Sequence, residues 1–155
     1  MGKIDRLPRL VCVQQQSCQP MVSAYDAGSP KIRPEDIVLQ PQGIGSAILR
    51  GDPSKAYPYI RSMVIESEGQ FVSVSEREIR EARTLMEDEE GLSPCFTAAA
   101  AFAGLVKRVQ QNQVDRGATV LVNLTGGDRT ANTPAEMPVP IRRSVSGNGW
   151  ERGDL

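Results

Sequence analysis

Apolar and polar positions alternate between two periods along the chain. Arg9 to Gln14 (RLVCVQ) is a short β-branched run after Pro8, the pattern of a buried strand in a parallel sheet. Pro20 suits the first turn of a short helix, Met21 to Ala27, closed by Gly28. Gly28 to Gln42 holds Pro30, Pro34 and Pro41 and predicts an irregular excursion. Gly43 to Arg50 (GIGSAILR) reads as a small-residue helix or turn ended by Gly51-Asp52-Pro53, and Lys55 to Glu66 carries Ile60, Met63 and Val64 at helical spacing. Gly69 punctuates, and Phe71, Val72 and Val74 predict a second strand. Ser75 with Glu78 makes a capping box for a helix from Glu76 to about Glu89, with Ile79, Ala82, Leu85 and Met86 inward and Gly91 closing it. Thr97 is placed to cap a further helix through about Gln111. Ala118 to Leu124 (ATVLVNL) is the strongest strand signal of all, and it runs straight into Thr125-Gly126-Gly127.

Alternation of strand and helix argues for an α/β domain with right-handed crossovers onto a mostly parallel sheet, three layers deep. From Asp128 onward the chain is rich in Pro, Gly, Ser and Arg without a period, so residues 1–127 are expected to form the domain and residues 128–155 a flexible tail in which Trp150 docks. The first strand starts right after Pro8 with no element before it, which predicts a piece of something longer.

Composition narrows the chemistry. With 155 residues and 39% hydrophobic content the chain suits one globular core. Eighteen basic against nineteen acidic residues, with no basic run interleaved with aromatics, argue against nucleic acid and leave an anionic small molecule open. The chain has no histidine, which removes the commonest general base and any Ser-His or Cys-His pair. Three cysteines, Cys12, Cys18 and Cys95, supply neither a disulfide framework nor a zinc set, and the expected compartment is a reducing cytoplasm. No apolar run approaches the roughly 20 residues that span a bilayer, and the N-terminus lacks a signal-peptide core, so neither membrane insertion nor secretion is expected.

Thr125-Gly126-Gly127 falls where open α/β sheets hold ligands: glycines let a flat molecule approach the backbone, and a Thr hydroxyl donates one hydrogen bond without importing charge. An ordinary strand-to-loop turn explains the same triplet. Ala98 to Ala101, continuing to Ala103 and Gly104, would let a strand or a flat ring lie against its helix, and tight packing on a sheet would use the same residues. Cys95, near a helix N-terminus, is either an activated thiol or an incidental one. The lysines, Lys3, Lys31, Lys55 and Lys107, read as solvated charges rather than desolvated amines beside a ligand.

Four segments in order, GIGSAILRGDP (Gly43 to Pro53), GQFVSVSEREIREA (Gly69 to Ala82), EGLSPCFTAAAAFAGL (Glu90 to Leu105) and VLVNLTGG (Val120 to Gly127), resemble the C-terminal half of fold-type II pyridoxal-phosphate enzymes. The resemblance covers Leu7 to Arg129 and is strongest to the threonine synthase group; NLTGG also resembles cysteate synthase. It implies a tryptophan synthase β-like partial domain and pyridoxal 5'-phosphate as cofactor, with Thr125 on the pyridine nitrogen and Gly126 and Gly127 letting the ring come close. Ser46 falls on a segment that in threonine synthases approaches the substrate side of the cleft. The implied reaction eliminates phosphate from a phosphorylated hydroxy-amino acid and replaces it with water; a cysteate synthase would use phosphoserine and sulfite.

The family's Schiff-base lysine and phosphate loop lie upstream of the part resembled and are absent from this chain, so no catalytic residue is assigned and the chain alone is expected to be inactive. Where relatives carry an acidic residue and Pro, which in some members helps bind a metal, this chain has Cys95-Phe96, and a common Ser falls at Ala98; no metal site is expected. The expected partners are an amino-acid phosphate substrate and either a chain supplying the N-terminal half or a second copy. The rivals are a non-catalytic truncated or small-subunit module, and an unrelated doubly wound domain whose Thr-Gly-Gly holds another anion.

Overall fold

The computed structural model describes residues 7–128, together with the backbone of residues 141–143 and 150–152. Strand β1 (Val11–Gln15) and strand β2 (Gln70–Val74) pair in parallel, Cys12 opposite Phe71 and Gln15 opposite Val74. Between them run helix α1 (Pro20–Asp26), an irregular excursion with single 3-10 turns at Pro34–Asp36 and Ser46–Ile48, and helix α2 (Tyr57–Glu66). Helices α3 (Glu76–Glu90) and α4 (Phe96–Gln110) follow β2.

Strand alternation sends side chains to two separate cores. On one face Val22 and Ala24 of α1 and Tyr57 and Val64 of α2 pack with Phe71, with Cys12 against the cluster. Phe71 takes the rings of Tyr25 and Tyr57 at centroid distances of 5.0 and 5.8 Å, the rings tilted by 48° and 50° rather than stacked face to face. On the other face Val74 packs with Ile79, Ala82, Ala99, Ala100 and Ala103 of α3 and α4, with Val13 beside them. The result is the expected α/β arrangement of helix, sheet and helix layers. The alanine stripe of α4 serves this packing, bringing Gly104 directly onto Val13.

Helix α3 begins as its sequence specifies: Ser75 Oγ accepts from the Glu78 amide at 3.2 Å while Glu78 Oε2 accepts from the Ser75 amide at 2.6 Å. It ends at Gly91, which adopts a left-handed φ of 64°. Ile79, Ala82 and Met86 are buried as expected, whereas Leu85 is 42% exposed at the outer margin of the α3/α4 interface.

Three expectations are corrected. Ala118 to Leu124 forms no strand: Leu121 is 86% exposed and Val120 47%. A β-branched run becomes a strand only beside another strand, and among the described residues β1 and β2 pair with each other and not with it. Thr97 does not cap α4. The cap position belongs to Cys95, whose side chain makes no capping bond, and the Thr97 hydroxyl instead accepts from the Ala47 amide at 3.4 Å. Lys107 is not a free surface charge, since its ammonium lies 3.2 Å from Glu78 Oε1 and donates to the Ser73 carbonyl at 2.8 Å. The expected tail falls mostly outside the described residues; within it, strands β3 (Ile141–Arg143) and β4 (Trp150–Arg152) pair antiparallel. Among the described residues no helix is long and apolar enough to cross a membrane.

Two carboxylates make stability acid-sensitive. Bonds from the Arg33 guanidinium, 2.6 Å at the closest, and from the Arg33 amide hold the buried Asp36 carboxyl below its ordinary pKa. Burial pushes Glu78 up, but the Ser75 amide and hydroxyl and the Lys107 ammonium outweigh it and its pKa is lowered too. A carboxyl depressed on folding stabilises fully above its unfolded value, about 4 for both residue types, and loses that contribution as pH falls through the folded value. The urea midpoint is therefore expected to stay level from pH 7 to 5 and to fall below pH 4. Asp36→Asn should flatten part of that acid limb; an unchanged limb would exclude Asp36 as a source.

Candidate functional site

The Thr125-Gly126-Gly127 edge is built without a strand behind it. The Cys95 amide donates to the Gly126 carbonyl at 3.0 Å, Pro94 and Gly127 form an isolated antiparallel bridge, and the Asp128 amide donates to the Ser93 carbonyl at 2.8 Å. The edge is thus laid against the residues that lead into α4. Between the two strips lies an open groove of about 380 Å³, lined by Leu92, Ser93 and Pro94 on one side and Leu124 to Gly127 on the other.

Thr125 is exposed, and its hydroxyl has no hydrogen-bond partner among the described residues. The two glycines differ in what requires them. A Cβ on Gly126 would sit 2.7 Å from Cys95 Sγ, so a side chain there would require the half-buried thiol to move aside. A Cβ on Gly127 would meet only the Ser93 carbonyl, at an ordinary 3.9 Å. Among the described residues, nothing else fills the space that a side chain at 127 would take.

Ser46 is exposed at the start of its 3-10 turn. The next residue, Ala47, bonds Thr97 in the first turn of α4, so the Ser46 segment and the Thr125 edge are both fastened to the beginning of that helix, one through Thr97 and the other through Cys95. The loop before Ser46 is held by Gln15, a fully buried side chain at the end of β1 whose Oε1 accepts from the Gly45 amide at 2.9 Å. Gln15 and the Arg83–Asp128 ion pair that ties the edge to α3 carry no local sequence signal, because their partners lie 30 and 45 residues away.

These features define an α/β domain with an open groove beside the start of a helix, and comparison with known proteins identifies the class: the family described as pyridoxal-phosphate dependent enzyme matches residues 1–126, and the chain belongs to it. Among its relatives, the threonine synthase of Mycobacterium bovis is 32% identical over 147 residues, covering 91% of this chain and 38% of that protein. The threonine synthase of Synechocystis sp. is 36% identical over 129 residues, 81% of this chain and 29% of that one. The cysteate synthase of Methanospirillum hungatei is 29% identical over 127 residues, 79% of this chain and 30% of that one. The crystal structure of a threonine deaminase from T.th. superposes with a TM-score of 0.53 at 18% identity, over 77% of this chain and 39% of that one, a likeness of fold. The chain therefore spans well under half the length of these relatives.

Proposed function

We propose that this chain forms the ring-nitrogen side of a pyridoxal phosphate site in a threonine synthase-like enzyme, one that removes phosphate from a phosphorylated hydroxy-amino acid and puts water in its place. The observation that carries the reading is Thr125: an exposed hydroxyl without a protein partner among the described residues, at the mouth of the groove, two residues before Gly127, where an added Cβ would meet only the Ser93 carbonyl at 3.9 Å. Pyridoxal phosphate, when bound, supplies an electron sink for negative charge on the substrate's α-carbon. Thr125 orients the ring by hydrogen-bonding its nitrogen and, being neutral, leaves that nitrogen largely unprotonated. That moderates the sink toward elimination and replacement. Gly126 and Gly127 keep the backbone open to the ring, and Ser46 faces the substrate.

The lysine amine and the phosphate cradle belong, on this reading, to residues outside this chain. Lys107 is engaged by Glu78 and the Ser73 carbonyl, and none of the groove-lining residues is a lysine. The chain alone is accordingly inactive. A partner supplying the N-terminal half suits this better than a second copy, which would only duplicate the same edge. Water rather than sulfite as the incoming group is favoured by the longer and closer match to the threonine synthase, 32% over 147 residues against 29% over 127 for the cysteate synthase.

The reading is tested by co-expressing this chain with the upstream part of the Mycobacterium bovis relative and changing Thr125 to Val. Loss of one hydrogen bond of about 1 kcal/mol should weaken cofactor retention several-fold and lower turnover; unchanged retention and turnover would sink the Thr125 assignment. Borohydride treatment of the isolated chain with pyridoxal phosphate should give no adduct at one specific lysine, and a stoichiometric adduct would overturn the claim that the amine comes from elsewhere.

A further inference from the structure

We propose that Arg83 is the positioning residue of this site, holding the Thr125 edge in place through Asp128; the inference rests on the pyridoxal phosphate reading above. The edge belongs to a stretch without helix or strand from Gln113 to Gly126, and the residues leading into it are largely exposed. Its backbone ties run to Ser93, Pro94 and Cys95, themselves loop residues between α3 and α4. Besides the backbone bond to Cys95 at the cap of α4, a side-chain pair ties the edge to the body of a helix: Arg83 Nη2 of α3 with Asp128 Oδ2, one residue beyond Gly127.

The guanidinium is itself fixed from two further sides. Its Nε donates to Glu87 Oε1 at 2.9 Å, one helical turn along α3, and its central carbon lies 4.8 Å from the centre of the Phe96 ring, the first residue of α4. Arg83 and Asp128 are 19% and 17% exposed, so the pair is substantially withdrawn from water and screened less than a surface bridge. One planar cation thus joins α3, the start of α4 and the ligand edge. Arg80 stacks on the same ring at 5.1 Å from the same helix, and no ion pair joins it to the edge among the described residues. It supplies the internal control.

Amide hydrogen exchange on the full chain without ligand reads the docking directly, because the Cys95 and Asp128 amides make the bonds that seat the edge. In Arg83→Met their protection is expected to fall about tenfold, while the Gln70 amide, bonded to Leu10 in the sheet, keeps its own. Arg80→Met should leave both sets unchanged. Unaltered Cys95 and Asp128 protection in Arg83→Met would overturn the inference, and so would an equal fall at Gln70, which would make the role one of general stability.

The second arm uses pyridoxine 5'-phosphate, whose ring lacks the aldehyde that reacts with surface lysines, at millimolar concentration. Shifts of the Thr125, Gly126 and Gly127 amides should require about tenfold more ligand in Arg83→Met. Arg83→Lys, which keeps the charge but not the fork, should fall between. If Thr125→Val weakens the ring and Arg83→Met does not, the positioning role fails while the site reading stands. If neither change affects ring binding, the site reading fails and, with it, the role of Arg83 toward the ring.

Discussion

Gly69→Ala is expected to destabilise the chain by about 3 kcal/mol, at the upper end of the overpacking range. A Cβ at position 69 would lie 2.0 Å from the Leu10 carbonyl oxygen and 2.9 Å from the Leu10 carbonyl carbon and amide nitrogen. All three obstacles are backbone, so no rotamer change relieves the clash. The same place is where the sheet begins: the Gln70 amide donates to the Leu10 carbonyl at 2.9 Å, and the Leu10 amide donates to Ser67 Oγ at 3.1 Å. Moving Leu10 away from an added methyl breaks the first rung of the parallel pair and the staple from the end of α2. Gly91→Ala is the comparison. It forces a Cβ into a left-handed φ of 64° but into open space, so its cost should be about 1 kcal/mol of local strain. Urea midpoints of the two variants separate the effects, and a loss in Gly69→Ala no larger than in Gly91→Ala would show that the close approach is relieved cheaply.

What the sequence made legible was local. The capping box of α3 and its closing Gly91 depend on neighbours within a few residues, and each is found where the pattern puts it. Gly69 read only as punctuation, because its neighbour Leu10 is distant in sequence. Ala118 to Leu124 failed for a related reason. Its β-branched run reports what the segment would do beside a strand, and the period of a sequence does not say whether that strand is there. Thr97 has the right residue type for a cap, yet its oxygen is taken by Ala47, fifty positions away. Arg83 forms an i,i+4 pair with Glu87, and the second carboxylate, which ties it to the Thr125 edge, is 45 residues further on. Thr125, Gly126, Gly127 and Ser46 are singled out by family resemblance rather than by spacing. Their common attachment to the start of α4 is visible only in three dimensions.

Gln15→Leu is expected to cost about 3 kcal/mol, the unsatisfied-group penalty at its upper end, and to act on the substrate side of the site more than on the ring side. The Gln15 side chain is fully buried, and both ends of its amide are used. Oε1 accepts from the Gly45 amide, while Nε2 donates to Ser17 Oγ at 2.8 Å and to Glu76 Oε1 at 3.2 Å. Ser17 in turn donates to the Gln42 carbonyl at 2.6 Å, so one amide holds the loop that precedes Ser46 at two points and joins it to the start of α3. Leucine fills much of the same volume but satisfies none of these groups. It leaves the buried Gly45 amide without an acceptor, a penalty of about 1–3 kcal/mol, and the lost donors to Ser17 and Glu76 add to it. The Ser46 turn would then hang from the 3.4 Å bond between Ala47 and Thr97, a weak restraint by its length. The Thr125 edge is fastened separately, through Cys95, Ser93 and Arg83. On the proposed reading, the variant in the co-expressed enzyme should therefore raise KM for an amino-acid phosphate severalfold with little change in cofactor retention, the opposite of Thr125→Val. Equal losses on both measures would mean that the two walls are one rigid unit and that Gln15 supports the start of α4 as a whole.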